Sequence, residues 1–400
     1  MRILQIGASF VGAQEKIEYS IHTYLKENKI ESYILYSVGN SLDSNIIKYE
    51  TRIENYVRRF LFKISNKNSH SAIFSTFHLI LHILKIKPDL IHLHVLHHGY
   101  IDYQVLFEFL CKYKVPVVFT MHDMWAFTGG CYHFNDISCE KYKNICCNCP
   151  KTIDELDCST KDVEKNFRKK MSLYNKINHI TFISVSKWVN QQLENTELKK
   201  YLHLTIPNAI DCEIYAKNNE LDLNHDKFVI IGVASVWTEA KGISNFLKLA
   251  KIIGNEYQII LVGDVSENIK NDSPNNIKYV GRICDKDILM KLYAYSNIHI
   301  SMSKQETFGM TFVEAAYLGI KSIGFDCTAI SETIQKVNGY LVQENDLDSM
   351  IVLLKYLKEH REECKLDLFQ IEKIKNEFSS EIMCEKYLEV YKKNLNYKIK

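Results

Sequence analysis

The chain has 400 residues and a balanced charge, 50 Lys and Arg against 48 Asp and Glu, for a net charge of +2. That balance does not argue for a nucleic-acid binder, and with no apolar run of roughly 18 residues no membrane-spanning helix is expected. The length suits two hydrophobic cores better than one, and with 15 Gly and 5 Pro there is no low-complexity linker.

The chain opens on an apolar stretch at 2–9, which reads as a first buried strand. It is too short for a signal peptide and has no cleavage site. A cytoplasmic protein follows, with its 12 cysteines held as thiols or metal ligands rather than disulfides. The next loop, 7–14, keeps Gly12, which allows close backbone approach. It lacks the Lys and Ser/Thr of a phosphate-binding P-loop. Further strands fall at 32–37, 90–95, 117–122, 180–185 and 204–207, with helical patterns between them, for example at 15–27 and 103–112.

Within 52–67, Ile53, Tyr56, Val57, Phe60, Leu61 and Ile64 fall at helical spacing, with Arg52, Arg58, Arg59, Lys63 and Lys67 around them. A second apolar helix spans 72–86. Two readings stand: both helices pack on the first sheet, which we take as the expectation, or the basic amphipathic surface lies on an anionic membrane. His122 ends the strand at 117–122, where it reaches a ligand or joins the core. Six cysteines then follow between 131 and 158. Cys146 and Cys149 form a Cys-x-x-Cys pair, and with Cys131 and Cys139 they suit a structural, tetrahedral zinc; reduced thiols packing a loop fit equally. Ser186 is placed to cap the helix after 180–185, with Lys187 next to it.

A polar stretch, 211–226, separates this series from a second one with strands at 228–234, 258–262, 278–280, 298–302 and 321–325. Such alternation predicts an α/β protein with parallel sheets. We expect two Rossmann-like domains facing across a cleft, 1–207 and 208–380, with ligands beyond the carboxyl ends of the strands.

The second series carries most of the chemistry. After the strand at 298–302 come Glu306, Thr307, Phe308, Gly309, Met310 and Thr311, then a helix containing Glu314 and ended by Gly319. The turn at Phe308–Thr311 leaves free N–H groups at a helix start, an anion site. Glu306 and Glu314 flank it and can accept from sugar hydroxyls. Lys241-Gly242 follows the strand at 228–234, where a lysine can neutralise a diphosphate. Asp285 with Asp287 and Asp346 with Asp348 are Asp-x-Asp strings that read as helix caps rather than metal ligands, so no cofactor is expected for catalysis.

The pattern Glu306, seven residues, Glu314, with its inner Phe-Gly and trailing Ala-Ala-x-x-Gly, resembles the signature of retaining glycosyltransferases of family 4. The resemblance implies the GT-B architecture, with a last helix at about 381–393 crossing back to the first domain. It implies that Lys241 contacts the diphosphate, Glu306 the donor sugar and Glu314 the ribose. Val280-Gly281-Arg282 resembles the turn that reads the nucleobase, and 338–342 a late structural hairpin. His122 would reach the donor sugar, and Gly12 would lie in the acceptor-side loop. Two positions depart from the family pattern: Ser235 and Val236 stand where an arginine is usual, and Val11 replaces the first of paired glycines. The stretch 125–131 with the later Cys-x-x-Cys-Pro is similar to colanic-acid-type polysaccharide-assembly transferases.

These resemblances imply transfer from a nucleotide-sugar donor, a UDP- or GDP-sugar, to a glycan or polyprenyl-diphosphate-linked acceptor. The setting would be surface polysaccharide biosynthesis, in the cytoplasm or peripherally on the inner membrane face. A nucleotide-sugar epimerase on the same fold is one alternative; a non-catalytic nucleotide-sugar-binding protein, to which the two departures give weight, is another. A zinc-dependent nucleic-acid module conflicts with the balanced charge.

Overall fold

The computed structural model describes residues 1–7, 9–10, 13–64, 69–151, 155–210, 227–283 and 285–396. The chain divides into two units, residues 1–207 with 383–400, and residues 208–382.

The first unit is built on a seven-stranded parallel sheet. Its spatial order is Ile46–Lys48, Glu31–Tyr36, Arg2–Ile6, Leu90–Leu93, Val117–Met121, Ile180–Ser184 and Leu202–Thr205. The strands at 90–93, 117–121 and 180–184 are buried along their whole length. That pattern is expected where helices cover both faces of a parallel sheet. Several polar residues inside this core are paired, as most buried polar groups are. The last helix, Ser380–Asn396, supplies three of the partners from its part within this unit. Tyr391 Oη lies 2.7 Å from His92 Nδ1, Tyr387 Oη lies 3.0 Å from Thr120 Oγ1, and Thr181 Oγ1 donates to Asn394 Oδ1 over 2.9 Å.

One sequence expectation fails in this unit. The helices Arg52–Ile64 and Ile73–Ile86 do not bury their whole apolar content on the sheet. Leu79, Ile83 and Ile86 are buried, but Ile53, Tyr56, Phe60, Phe74, Phe77 and Leu81 are exposed. On the second helix the physical reason is that apolar residues cover more of the circumference than one contact face can bury; on the first, the single stripe of Ile53, Tyr56 and Phe60 faces outward while Arg58 is buried.

The second unit holds a six-stranded parallel sheet in the order Ile277–Gly281, Tyr257–Asp264, Phe228–Val236, Ile298–Ser301, Ser322–Phe325, Tyr340–Val342. A cluster including Phe228, Ile230, Phe246, Leu249, Ile259 and Leu354 fills one side. Gly263 has φ 123°, and a Cβ there would sit 1.9 Å from Ala234 O, so only glycine lets these two strands run this close. The stretch 338–342 is not a hairpin: Tyr340–Val342 is an edge strand parallel to Ser322–Phe325. Asn338 turns with φ 54°, but that turn joins a helix to a strand.

Both sheets begin in the middle. In each, the first three strands run outward to one side and the fourth returns to pair with the first on the other side. That reversal creates a crevice at the carboxyl ends of strands one and four, where ligands bind in open α/β sheets.

Candidate active site

In the second unit the reversal lies between Phe228–Val236 and Ile298–Ser301. Lys241 leaves the loop after the first of these strands, and Glu306 leaves the loop after the other. Their side chains meet, with Lys241 Nζ 2.6 Å from Glu306 Oε1. Backbone contacts tie the two loops together: Lys304 N donates to Ala240 O over 3.0 Å, and Ser303 Oγ donates to the same carbonyl over 3.3 Å. Gly242 has φ 80°, and a Cβ there would come within 2.4 Å of Met302 O. The glycine therefore allows Lys241 to sit over the fourth strand.

Glu306 is held from behind. Its carbonyl accepts from Ala329 N over 3.3 Å, and its amide lies 3.4 Å from Thr328 Oγ1. Gly309, with φ 88°, is the N-cap of the helix Met310–Tyr317 and has no side chain to cover the first-turn amides. Those amides give an anion-binding end that carries partial positive charge. Met310 and Thr311 are its first two residues. Phe308 is buried, stacks edge-on to Phe378 at 5.8 Å, and gives its carbonyl to Thr333 Oγ1 at 2.6 Å. Phe308 thus shapes the turn from inside. Glu314 is buried one turn further along the helix, and Tyr293 Oη donates to its Oε2 over 3.3 Å. Arg282 is exposed just after the strand Ile277–Gly281, and Gly281 turns with φ 77°. Ser235 and Val236, at the position of the missing arginine, are exposed.

Both Asp-x-Asp strings cap helices. Asp285 accepts from Asp287 N over 2.9 Å, and Asp346 accepts from Ser349 N over 3.0 Å.

In the first unit the reversal lies between Arg2–Ile6 and Leu90–Leu93. Gly12 is outside the described residues, as is the stretch 211–226. His122 is half-buried, with its Nε2 3.1 Å from His94 Nδ1. Burial depresses the His122 pKa to about 4, only partly offset by Asp123, so the ring is neutral near pH 7. Asp123 accepts from His97 Nε2 over 2.6 Å and from Trp125 N over 2.8 Å. Burial opposes its charged form, but His97 and these bonds outweigh that and hold its carboxyl well below the usual range. His94, His97, His122 and Asp123 line one small cavity. Ser186 caps the helix Lys187–Glu194 through Val189 N at 3.1 Å, and Lys187 is exposed.

Sequence reading missed Glu18, His94 and His97. Glu18 is buried against Gly7, whose hypothetical Cβ would meet Glu18 Oε1 at 2.4 Å, and Glu18 Oε1 lies 4.0 Å from His94 Nδ1. Burial holds His94 neutral, so this is not a charged pair. The available signal was a polar residue inside an apolar strand: Gln5 bonds both Glu18 O, at 3.0 Å, and His94 Nε2, at 3.2 Å.

Cys131, Cys139, Cys146 and Cys149 do gather around one pocket, with Phe134 and Tyr142. Among the described residues, however, no three His, Cys, Asp or Glu side chains are grouped so as to hold a metal ion. Of the two readings of these cysteines, the geometry favours reduced thiols packing a loop. Burial raises the thiol pKa of Cys131, and that of Cys146 to about 11, which keeps both protonated. The loop is held instead by stacked Phe134 and Tyr142, 4.1 Å apart, and by Lys151 between Asp136 and Glu155.

Comparison with known proteins agrees with this geometry. Residues 19–214 match the family model "Glycosyltransferase Family 4", and residues 227–359 match "Glycosyl transferases group 1". WcaC of Escherichia coli (strain K12), named as a colanic acid biosynthesis glycosyl transferase, is 22% identical over 382 residues, covering 89% of this chain and 90% of that protein. Sucrose-phosphate synthase from Thermosynechococcus elongatus superposes with a TM-score of 0.73 at 14% identity, covering 98% of each chain. Anabaena HepE, solved in complex with UDP and glucose, gives a TM-score of 0.65 at 15% identity over 98% of this chain and 100% of that one. Both solved structures share the fold of two parallel-sheet α/β domains.

Proposed function

The chain belongs to the family 4 glycosyltransferases, and we propose that it moves a sugar from a nucleotide-diphosphate donor to a glycan or lipid-linked acceptor with retained anomeric configuration. The observation that carries this reading is the Lys241–Glu306 pair, 2.6 Å apart at the strand reversal of the second sheet, beside the start of the helix Met310–Tyr317, which no side chain caps.

On this reading the diphosphate rests on the amides following Gly309 and on Lys241, which leaves Glu306 to accept from the donor-sugar hydroxyls. Charge building on the departing phosphate is stabilised by groups already in place, which is where such sites lower a barrier most. Glu314 accepts from the ribose, and Arg282 lies by the turn assigned to the base. His122, neutral near pH 7, contributes a hydrogen bond to the donor rather than a charge. The capping roles of Asp285 and Asp346 support transfer without a metal cofactor. A UDP-sugar is the first donor to try, given the fold shared with HepE. Similarity to WcaC supports polysaccharide assembly, and the acceptor on this reading is a glycan carried on polyprenyl diphosphate. No helix among the described residues is long and apolar enough to cross a membrane.

The test is to incubate the protein with UDP- and GDP-sugars, with and without a polyprenyl-diphosphate glycan and with chelator present. Acceptor-dependent release of the nucleoside diphosphate supports the reading. Isomerised donor without acceptor would make it an epimerase, and a requirement for added divalent metal would contradict the metal-free step.

A further inference from the structure

We infer that the helices Arg52–Ile64 and Ile73–Ile86 form a docking surface for an anionic lipid bilayer. On the first helix, Ile53, Tyr56, Val57 and Phe60 make one stripe and are 78%, 75%, 46% and 58% exposed. On the second, Phe74, Phe77, Leu81 and Leu84 make another and are 69%, 51%, 61% and 44% exposed. Surface apolar residues normally occur singly, and a contiguous patch marks an interaction site.

The two stripes belong to one piece of surface. His78 Nδ1 on the second helix lies 2.8 Å from Glu54 Oε1 on the first. Beneath them, Glu50 accepts from Arg58 Nε at 2.7 Å and from Ser75 Oγ at 2.8 Å, so a buried polar knot fixes the pair in place. The opposite side of the second helix is occupied, with Leu79 and Ile83 fully buried. The exposed stripe is thus a surplus apolar face on a well-anchored helix.

Charge selects the occupant. Arg52, Arg59, Lys85 and Lys87 are exposed on these helices and at their ends, whereas Glu54 is engaged by His78. A second copy of this chain would bring two basic rims together. An anionic leaflet complements them, and each such cation adds about fivefold to affinity near its surface. Amphipathic helices of this kind lie in the interfacial plane with the apolar side inserted and long basic side chains reaching outward to the headgroups. The inference stands on exposure and charge and does not rest on transfer activity, so an inactive protein would dock equally well.

The experiment is co-sedimentation of the full chain with vesicles of pure phosphatidylcholine and of phosphatidylcholine containing phosphatidylglycerol. Binding should favour the anionic vesicles by at least about tenfold. Phe60→Ser with Phe77→Ser should weaken it about tenfold or more, as should Arg52→Glu with Arg59→Glu. Because these side chains are exposed, the melting temperature should not move. Wild-type protein that stays in the supernatant, or binding that both variants retain, would overturn the inference. So would a dimer in sedimentation velocity that Phe60→Ser with Phe77→Ser dissociates.

Discussion

Lys241 and Glu306 are 65 positions apart in sequence, yet Nζ and Oε1 approach to 2.6 Å where the first and fourth strands of the second sheet part. The pair is partly open, with side-chain exposures of 37% and 22%. Exposed ion pairs add little to stability. Lys241→Ala should therefore cost no more than about 1 kcal/mol in urea unfolding, while lowering turnover about a hundredfold if the lysine meets the developing phosphate charge.

Gly242→Ala should behave differently. Its φ is 80°, and the new Cβ would face Met302 O at 2.4 Å, a backbone atom that cannot swing aside. Strain of this kind costs about 1–3 kcal/mol, and it would shift Lys241 as well. Gly281→Ala is the control: φ is 77°, but nothing lies within 4 Å of the added Cβ. Denaturation midpoints should rank Gly242→Ala well below Gly281→Ala.

Tyr391→Phe tests the last helix. It removes the 2.7 Å partner of His92 Nδ1 inside the first core. A buried group left unsatisfied costs about 1–3 kcal/mol. Chemical unfolding should show that loss, and an unchanged midpoint would mean that the helix is not anchored there.

Stability should fall in mild acid. Burial lowers the pKa of His92, His94, His122 and His299 below the ordinary 6.5, to about 4 for His122 and about 3 for His299. Between those values and 6.5 the unfolded chain binds more protons, so stability rises with pH across that window. Asp157 works against this trend, because burial raises its pKa from 3.8 to about 6 and the folded chain binds the extra proton there. Burial also lowers the pKa of His22, His82 and His179, so with seven imidazoles against the Asp157 carboxyl the net expectation is a midpoint in urea that climbs from about pH 4 to pH 6.5.

The alternation of apolar runs was enough to show two parallel α/β units, because strands buried on both faces leave a continuous apolar trace. Tyr340–Val342 was misread because three residues at a sheet edge carry too little pattern to separate a parallel strand from a hairpin. The apolar positions of the helix at 52–64 were legible, but not which way they face, since periodicity marks a stripe without naming its neighbour. The turn at Gly309 and both glutamates could be read locally. The contact of Glu306 with Lys241 could not, because it depends on strand order. His94, His97 and Glu18 were missed for the same reason: each acquires its meaning from side chains brought by another strand or helix. The cysteine spacing fitted a metal cage and a packed loop of reduced thiols equally, because spacing along the chain does not set how far apart the thiols stand in the fold.

The most direct test of the account is calorimetric titration of UDP- and GDP-sugars into the wild-type protein and into Lys241→Ala and Glu306→Ala, followed by turnover with the accepted donor. The account predicts that one donor binds the wild type, that each variant weakens binding or slows transfer about tenfold to a hundredfold, and that both variants stay folded. Wild-type affinity and rate preserved in both folded variants would contradict it.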